Sequence, residues 1–510
     1  MDKIFKLWKE NPLKVIIWLA VISRLIAAIF SKGFGMHDDH FLIIEPAQSW
    51  VDGFDHDDWL PWNQAEGEER AYNFFYVGIM YLVLLFMKTA GITNAQTVMF
   101  IVRILHGAFS ILTVYYGYKI TLKLSNQKTA GTVGLLLAVL WLIPFVSVRN
   151  LVEVVCIPFL IYSTWLFIKE TSAKKILLTA FISGFIIGIA FSVRYQTVLY
   201  AGGIGLSLLI LKRWKEAFIY GAGYFTSLLL IQGILDVIMY GTPFMALHDY
   251  VEYNIIHSRD YFISPWYNYI LLILGILIPP VSIFIFYGFL RTWKKYVLIF
   301  LPTMIFFAFH SYVPNKQERF ILPILSFIII LGLIGWNEFQ AKSTFWQKHQ
   351  KFIRGSWVFF WVLNVLVLAI ISTTYSKKAR VEAMMYLTRY DNIQSIMYNS
   401  YRAYSNVMCP RSYLGEWVKE QSITSDLPVE KLKDRVFTDE NYIPRFILFF
   451  EDVDLEKRIA DTKEMFPNIV FEKKFEPGFI DQLVHWLNPI NANESITMYR
   501  NTDLIPEKID

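Results

Sequence analysis

Two adjacent carboxylates, Asp38 and Asp39, lie between imidazoles at His37 and His40 in the stretch GFGMHDDHFLIIEPAQSW, Gly33 to Trp50. A carboxylate held beside a hydroxyl can take its proton as that oxygen attacks an electrophile, which is general-base catalysis. The same four side chains could ligate a metal, but adjacent residues rarely converge on one ion, so no metal and no other cofactor is expected. Glu45 adds a further carboxylate on the same stretch. Elsewhere Arg70, Arg149, Arg194, Lys316 and Arg319 bring the cations that can hold a phosphate, and arginine can do so through two oxygens at once. Gln196, Tyr253, Asn254 and Trp266 carry the amides and aromatic faces that suit sugar hydroxyls and rings, and Glu153 sits among the cations.

These residues need elements to position them, and composition says which. Of 510 residues, 55% are hydrophobic and 18% charged, against roughly 25% charged in soluble domains. Mean hydropathy is +0.39. Apolar runs of about 17–25 residues recur, the length that crosses a bilayer. The fold class expected is an all-α polytopic membrane protein with about eleven crossings, near 13–30, 97–121, 129–148, 151–168, 175–193, 197–213, 217–239, 266–289, 295–310, 319–337 and 356–375. After about residue 376 charges become dense and apolar runs shorten. RFILFF (445–450), NIVFEKKF (468–475) and SITMYR (495–500) read as strands, and 453–466 has helical spacing. The expected domains are a membrane domain over 1–375, with a catalytic first outer loop near 31–96, and a small soluble C-terminal α/β domain over 376–510.

Loop charges orient the crossings. Lys3, Lys6, Lys9 and Lys14 precede the first run and place the N-terminus in the cytoplasm. The next segment, about 31–72, holds ten acids against Lys32 and Arg70 and falls outside. If the short run at 74–90 crossed, the basic loops KLSNQK, KETSAKK, LKRWKE and RTWKK would all fall outside. It is therefore expected to lie on the outer surface without crossing. The N-terminal run lacks a small-residue cleavage site and reads as an anchor. The net charge of +5 is spread in short clusters between apolar runs and excludes a nucleic-acid footprint. Cys156 and Cys409 lie in different regions, so neither a disulfide nor a zinc spacing is expected.

With this topology the candidate residues gather on the outer face: Asp38, Asp39 and Glu45; Arg70 with Trp59 and Trp62; Arg149 and Glu153; Arg194 and Gln196; Tyr253, Asn254 and Trp266; Lys316 and Arg319. Ionisable groups at a membrane edge are costly and by default functional. A base, a phosphate clamp and sugar-facing aromatics at the bilayer edge match a phosphate carried on a lipid.

The motifs resemble the mannosyltransferases of glycosyltransferase family 22, membrane enzymes of the GT-C fold that extend dolichol-linked oligosaccharides and glycosylphosphatidylinositol anchors. MHDDHFLIIEPAQSW is similar to the family's His-Pro-Asp-Glu…Phe…Glu-Pro-Ala signature through Asp38, Asp39, Phe41 and Glu45-Pro46-Ala47. WLPW (59–62) and ERAYNFF, with Arg70, resemble the segments that follow. Asp236, Tyr240, Gly241, Tyr253 and Asn254 match its Asp-Ser-x-x-Tyr-Gly…Tyr-Asn segment, Pro265, Trp266 and Tyr269 its Pro-Trp-x-Trp-Tyr, and Lys316, Arg319 and Phe320 its His-Lys-Glu-x-Arg-Phe. Met36, His37, Asn315 and Gln317 depart from it.

The resemblance covers about 33–325 and implies transfer of a hexose, mannose by analogy, with inversion. The donor would be a polyprenyl- or dolichyl-phosphate sugar and the acceptor lipid-linked or another glycan. Asp38 or Asp39 would be the base, working among membrane lipids on the outer face. That face is periplasmic in a bacterial inner membrane, which the motif departures favour, or lumenal in an endoplasmic reticulum membrane. The competing readings are a transporter or flippase of lipid-linked sugars, a polysaccharide polymerase or ligase, and a receptor-like scaffold. No inverted repeat supports the transporter.

Overall fold

The computed structural model describes residues 2–65, 71–169, 171–260, 263–402, 407–424, 443–487 and 495–504. Arg70 lies outside them. The chain divides into two compact units: Met1–Ile29, Asp58–Ile79 and Ile101–Thr373 form one, and Phe30–Asp57, Met80–Phe100 and Thr374–Asp510 the other.

The first unit is built from apolar helices. Among the described residues, six helices are long and apolar enough to cross a membrane: Pro12–Phe30, Ala95–Leu124, Ala173–Val193, Trp214–Tyr240, Glu318–Lys342 and Gln350–Ser372. Five shorter apolar helices accompany them: Phe74–Thr89, Val152–Ile168, Tyr195–Ile210, Val281–Arg291 and Val297–Tyr312. Leu322–Lys342 is the central helix, with every residue from Leu322 to Trp336 buried. Helices approach closely where one carries glycine. A Cβ at Gly184 would stand 1.9 Å from the Tyr220 carbonyl oxygen, and one at Gly335 would stand 2.1 Å from that of Gly288. Small residues permit the close backbone packing that holds helices together in lipid.

Two expected crossings are broken. Residues 266–289 fold as Asn268–Ile276 and Val281–Arg291, because Pro279 and Pro280 bring no N–H to the ladder. Residues 129–148 fold as Gln127–Val139 and Ile143–Ser147. The carbonyls orphaned at the second break are satisfied from distant helices. Arg24 donates to Ala138 O (2.8 Å) and Leu137 O (3.1 Å), and the Asn364 amide donates to Val139 O while accepting from Trp141 N, both at 2.8 Å. A buried charge in an apolar helix is here a structural cap.

The second unit carries a five-stranded mixed sheet. Its strands are β1 (Ser395–Ser400), β2 (Lys419–Ile423), β3 (Phe446–Phe450), β4 (Ile469–Phe475) and β5 (Ile496–Asn501), ordered β2-β1-β3-β5-β4. β1 pairs in parallel with β2 and β3, and β5 is antiparallel to β3 and β4. β3 is buried along its whole length, as a central strand covered on both faces must be. Met397, Ile423, Ile447, Phe449, Phe466 and Ile469 form its core on one side. The three expected strands and the expected helix (Leu455–Met465) are present; β1, β2 and the helices Lys378–Leu387 and Phe479–Leu487 are additional. The segment Ser31–Gly33 pairs with Thr374–Ser376. The Ser31 hydroxyl donates to Thr374 O (3.1 Å), Ser376 N donates to Lys32 O (3.1 Å), and Gly33 bridges Ser376. Gly33 has φ +76°, and a Cβ there would stand 1.8 Å from Ser376 O, so only glycine fits.

Candidate active site

In the second unit the opening stretch is helical. His37–Asp39, a π-turn His40–Ile44 and Glu45–Asp52 run on without a break to Gly53, whose φ of +92° ends the helix. Phe41, Ile43, Ile44, Ala47 and Val51 are buried and hold the rod in place. π-turns mark functional sites. Asp38 is exposed, and Asp39 is 3% exposed. Burial drives the His37 imidazole down to about 4, with Arg380, His40 and Lys377 acting in the same sense and Asp38 against it. His37 is therefore neutral near pH 7.

Glu45 is only 1% exposed and its partners come from far along the chain. The Ser412 backbone N–H donates to Oε1 (3.0 Å), His40 Nε2 lies 3.2 Å from the same oxygen, and Arg411 Nε is 3.6 Å from Oε2. Burial would raise this carboxyl, but the His40 hydrogen bond, the His40 and Arg411 charges and the Ser412 N–H outweigh it, and Glu45 titrates below its ordinary range. Arg411 itself is 3% exposed. It forks onto Asp57, with Nη1 3.2 Å from Oδ1, lies 3.7 Å from Glu420, and rests on the Trp417 ring at 5.6 Å. Burial lifts Glu420 to about 7 even with Arg411 beside it. Tyr398 donates its hydroxyl to Glu420.

The first unit holds a second polar cluster. Glu153, fully buried on Val152–Val155, faces two arginines: Arg194 Nη2 at 3.0 Å and Arg319 Nε at 3.5 Å from the same Oε1. Arg194 sits where Ile176–Val193 ends, and Arg319 lies on the short turn Glu318–Ile321 that opens Leu322–Lys342. Both guanidinium groups lie over the Phe320 ring, at 5.1 and 5.6 Å, and Gln317 accepts from Arg319 Nε at 2.8 Å. Gln196 donates to the Tyr250 hydroxyl. Arg149 is buried with its guanidinium over Phe145. The buried Lys316 donates to Val313 O, and desolvation lowers its ammonium. Two guanidinium groups face one carboxylate here, a gathering of cations of the kind that can hold a phosphate.

The family model that matches this chain covers residues 15–412 and describes an Alg9-like mannosyltransferase family. The chain belongs to that family. GPI mannosyltransferase 3 of Debaryomyces hansenii is 22% identical over 409 residues, spanning 76% of this chain and 70% of that one. The alpha-1,2-mannosyltransferase ALG9 of Homo sapiens is 27% identical over 155 residues, 27% of this chain and 25% of that one. Among solved structures, ArnT from Cupriavidus metallidurans bound to undecaprenyl phosphate superposes with a TM-score of 0.61 at 10% identity, covering 98% of this chain and 99% of that one. The archaeal oligosaccharyltransferase AglB from Archaeoglobus fulgidus, in complex with an inhibitory peptide and a dolichol-phosphate, gives 0.51 at 11% identity, covering 89% and 71%. These likenesses show the GT-C fold. The chain is thus a multi-pass membrane glycosyltransferase of the mannosyltransferase class, which sets aside the transporter and scaffold readings. The sequence relatives named here are eukaryotic and lend no support to a bacterial origin.

Within this family member the expected residues divide. Asp38, Asp39 and Glu45 share one helical rod, and Glu153, Arg194 and Arg319 share one ion cluster, with Gln196, Arg149 and Lys316 on elements of the same unit. Tyr253, Asn254 and Trp266 are exposed: Tyr253 stacks on His257 at 4.4 Å, Asn254 donates to Tyr250 O at 2.8 Å, and Trp266 meets Tyr267 edge-on. From the helix Met245–Ile256, the hydrogen bond from Gln196 is accepted by the half-buried Tyr250, one turn before Tyr253, which sequence reasoning passed over. Arg411, Ser412, Asp57 and Glu420 were also missed. No local periodicity marks them; the signal available was an arginine in an otherwise uncharged CPRSY run. Among the described residues, His248, Asp249 and Glu252 approach closely enough to share an ion, and they lie on the surface helix away from both clusters in sequence.

Proposed function

We propose that this enzyme transfers a mannosyl group from a polyprenyl- or dolichyl-phosphate donor to a hydroxyl of a lipid-linked or surface glycan, with inversion, on the non-cytoplasmic face of its membrane. That face is the endoplasmic reticulum lumen in a eukaryote and the periplasm in a bacterium. Asp38 or Asp39 accepts the proton of the acceptor hydroxyl as its oxygen bonds to the anomeric carbon. The bond from that carbon to the phosphate oxygen breaks on the opposite side, and the electron pair leaves with the lipid phosphate. A single displacement needs one base and no covalent enzyme intermediate. Arg194 and Arg319 neutralise the charge that develops on the leaving phosphate, with Lys316 and Arg149 as further cations.

The observation that carries the reading is the Glu153–Arg194–Arg319 cluster: a half-buried and a buried guanidinium group on one buried carboxylate, inside a chain whose family transfers mannose. The exposed Asp38 on a rigid rod supports the assignment of the base. The solved proteins of this fold that were captured with polyprenyl phosphates support the donor class.

The test is turnover of mannosyl-phosphoryl-polyprenol by Asp38→Asn, Asp39→Asn and Arg319→Lys, normalised to folded protein. Loss of the base costs about 10²–10⁴-fold. Arg319→Lys keeps the charge and loses the bidentate fork, so its rate falls while folding is retained. Near-normal turnover in both aspartate variants would rule out a carboxylate base on this rod.

A further inference from the structure

The helix Phe479–Leu487, FIDQLVHWL, presents an apolar face that none of the described residues of its own unit covers. Phe479 is 73% exposed, Leu483 38%, Trp486 76% and Leu487 67%. At 100° per residue these four, with Ile480 and Val484, fall on one arc, and Asp481, Gln482 and His485 occupy the other. A contiguous exposed face of Phe, Leu and Trp is costly in water and marks a contact surface.

What covers it follows from where the helix is pinned. The helix Pro12–Phe30, long and apolar enough to cross a membrane, runs directly into Ser31–Gly33, and the helix Gln350–Ser372, of the same character, runs within two residues into Thr374–Ser376. Those two exits are bonded to each other through Ser31, Lys32, Gly33 and Ser376. They mark one level, the edge of the bilayer. The helix Phe479–Leu487 begins on that mark. Gly478, immediately before it, comes so close to the second exit that a Cβ there would stand 2.8 Å from Tyr375 O. In its first turn, Asp481 accepts backbone hydrogen bonds from Lys377 and Lys378. An amphipathic helix tied to the point where two spans leave the membrane has its apolar face at headgroup depth. A tryptophan at that level is the residue type that membrane interfaces select.

We infer that the helix Phe479–Leu487 lies in the lipid headgroup layer, with Phe479, Leu483, Trp486 and Leu487 inserted toward the acyl chains, and that the C-terminal sheet is anchored to the bilayer surface through it. The occupant of this apolar face is lipid. The anchor is independent of the proposed reaction, since it uses none of the residues assigned to it.

The experiment places single cysteines at Leu483, Trp486 and Gln482 of the full-length protein in phosphatidylcholine nanodiscs and labels each with a polarity-sensitive fluorophore. Cys156 and Cys409 are buried and serve as the unlabelled background. At Leu483→Cys and Trp486→Cys the emission shifts to the blue and is lost to a nitroxide carried on the lipid, while a water-soluble quencher has little effect. At Gln482→Cys the water-soluble quencher acts and the lipid nitroxide does not. Quenching from water at 483 and 486 overturns the inference. Protection from both quenchers there also overturns it, because the face is then covered by protein.

Discussion

Replacing Arg411 by glutamine removes the guanidinium that faces Glu45, Asp57 and Glu420. The three carboxylates do not count equally. The Asp57 side chain is 38% exposed, and its pairing is worth no more than about 1 kcal/mol. Glu420 at 13% is half-buried and Glu45 at 1% is buried. Leaving a buried charge without its partner costs about 3–5 kcal/mol. Glu45 keeps the Ser412 N–H and His40, so the lower end applies, about 3 kcal/mol.

Glu420 gives this loss a pH signature. Its folded-state pKa of about 7 lies above the ordinary 4.5, so its contribution to stability is full below about 4.5 and is lost as the pH rises through 7. Without Arg411 the carboxyl is harder still to ionise. The gap between variant and wild type therefore opens as the pH rises above 7 and narrows at pH 6. The assay is the thermal midpoint of the full-length protein in detergent at pH 6 and pH 8, with turnover measured alongside. The variant should fall below wild type at both pH values, because Glu45 is ionised at both, and by more at pH 8 than at pH 6, and turnover should drop because the rod bearing Asp38 and Asp39 loses its clamp at Glu45. Equal midpoints at pH 8, or a gap that widens at pH 6, would refute the reasoning.

Acid sensitivity should also involve His37: its pKa of about 4 lies below the ordinary 6.5, so it stabilises the fold above about 6.5 and that stability is lost as the pH falls toward 4. His37→Gln should flatten the decline in thermal midpoint over that range, and an unchanged decline would count against it. Gly184→Ala should lower the midpoint or prevent folding, because its Cβ would meet the Tyr220 carbonyl oxygen at 1.9 Å, whereas Gly221→Ala, with open space around it, should be silent. Cysteines placed at 92–95 should label from the outer side and those at 124–127 from the cytoplasm, since the apolar helix Phe74–Thr89 is expected to stay on the outer surface; labelling of 92–95 from the cytoplasm alone would overturn that topology.

Local pattern alone determined a large part of this protein. Apolar runs long enough to span a bilayer become helices wherever they occur, because lipid leaves the backbone no other partners. The strands at Phe446–Phe450, Ile469–Phe475 and Ile496–Asn501 were legible as short apolar stretches between turns, and the carboxylate pair and the ordered motifs from Asp38 to Arg319 identified the family. The tertiary structure decided what each polar residue touches. Glu45 is paired with Ser412, 367 residues away, and Arg24 caps a helix more than a hundred residues along the chain. β1 and β2, SIMYNS and KEQSI, carry no strong alternation and are strands because β3 and each other offer parallel ladders to complete. Tyr253 is exposed while Tyr250, one turn earlier on the same helix, is half-buried and accepts from Gln196, a choice of helix face that composition cannot make. Hydrophobic periodicity is a free energy that each segment carries by itself. A buried ion pair or a strand register has no value until both partners are brought together, so neither leaves a mark on the residues beside it.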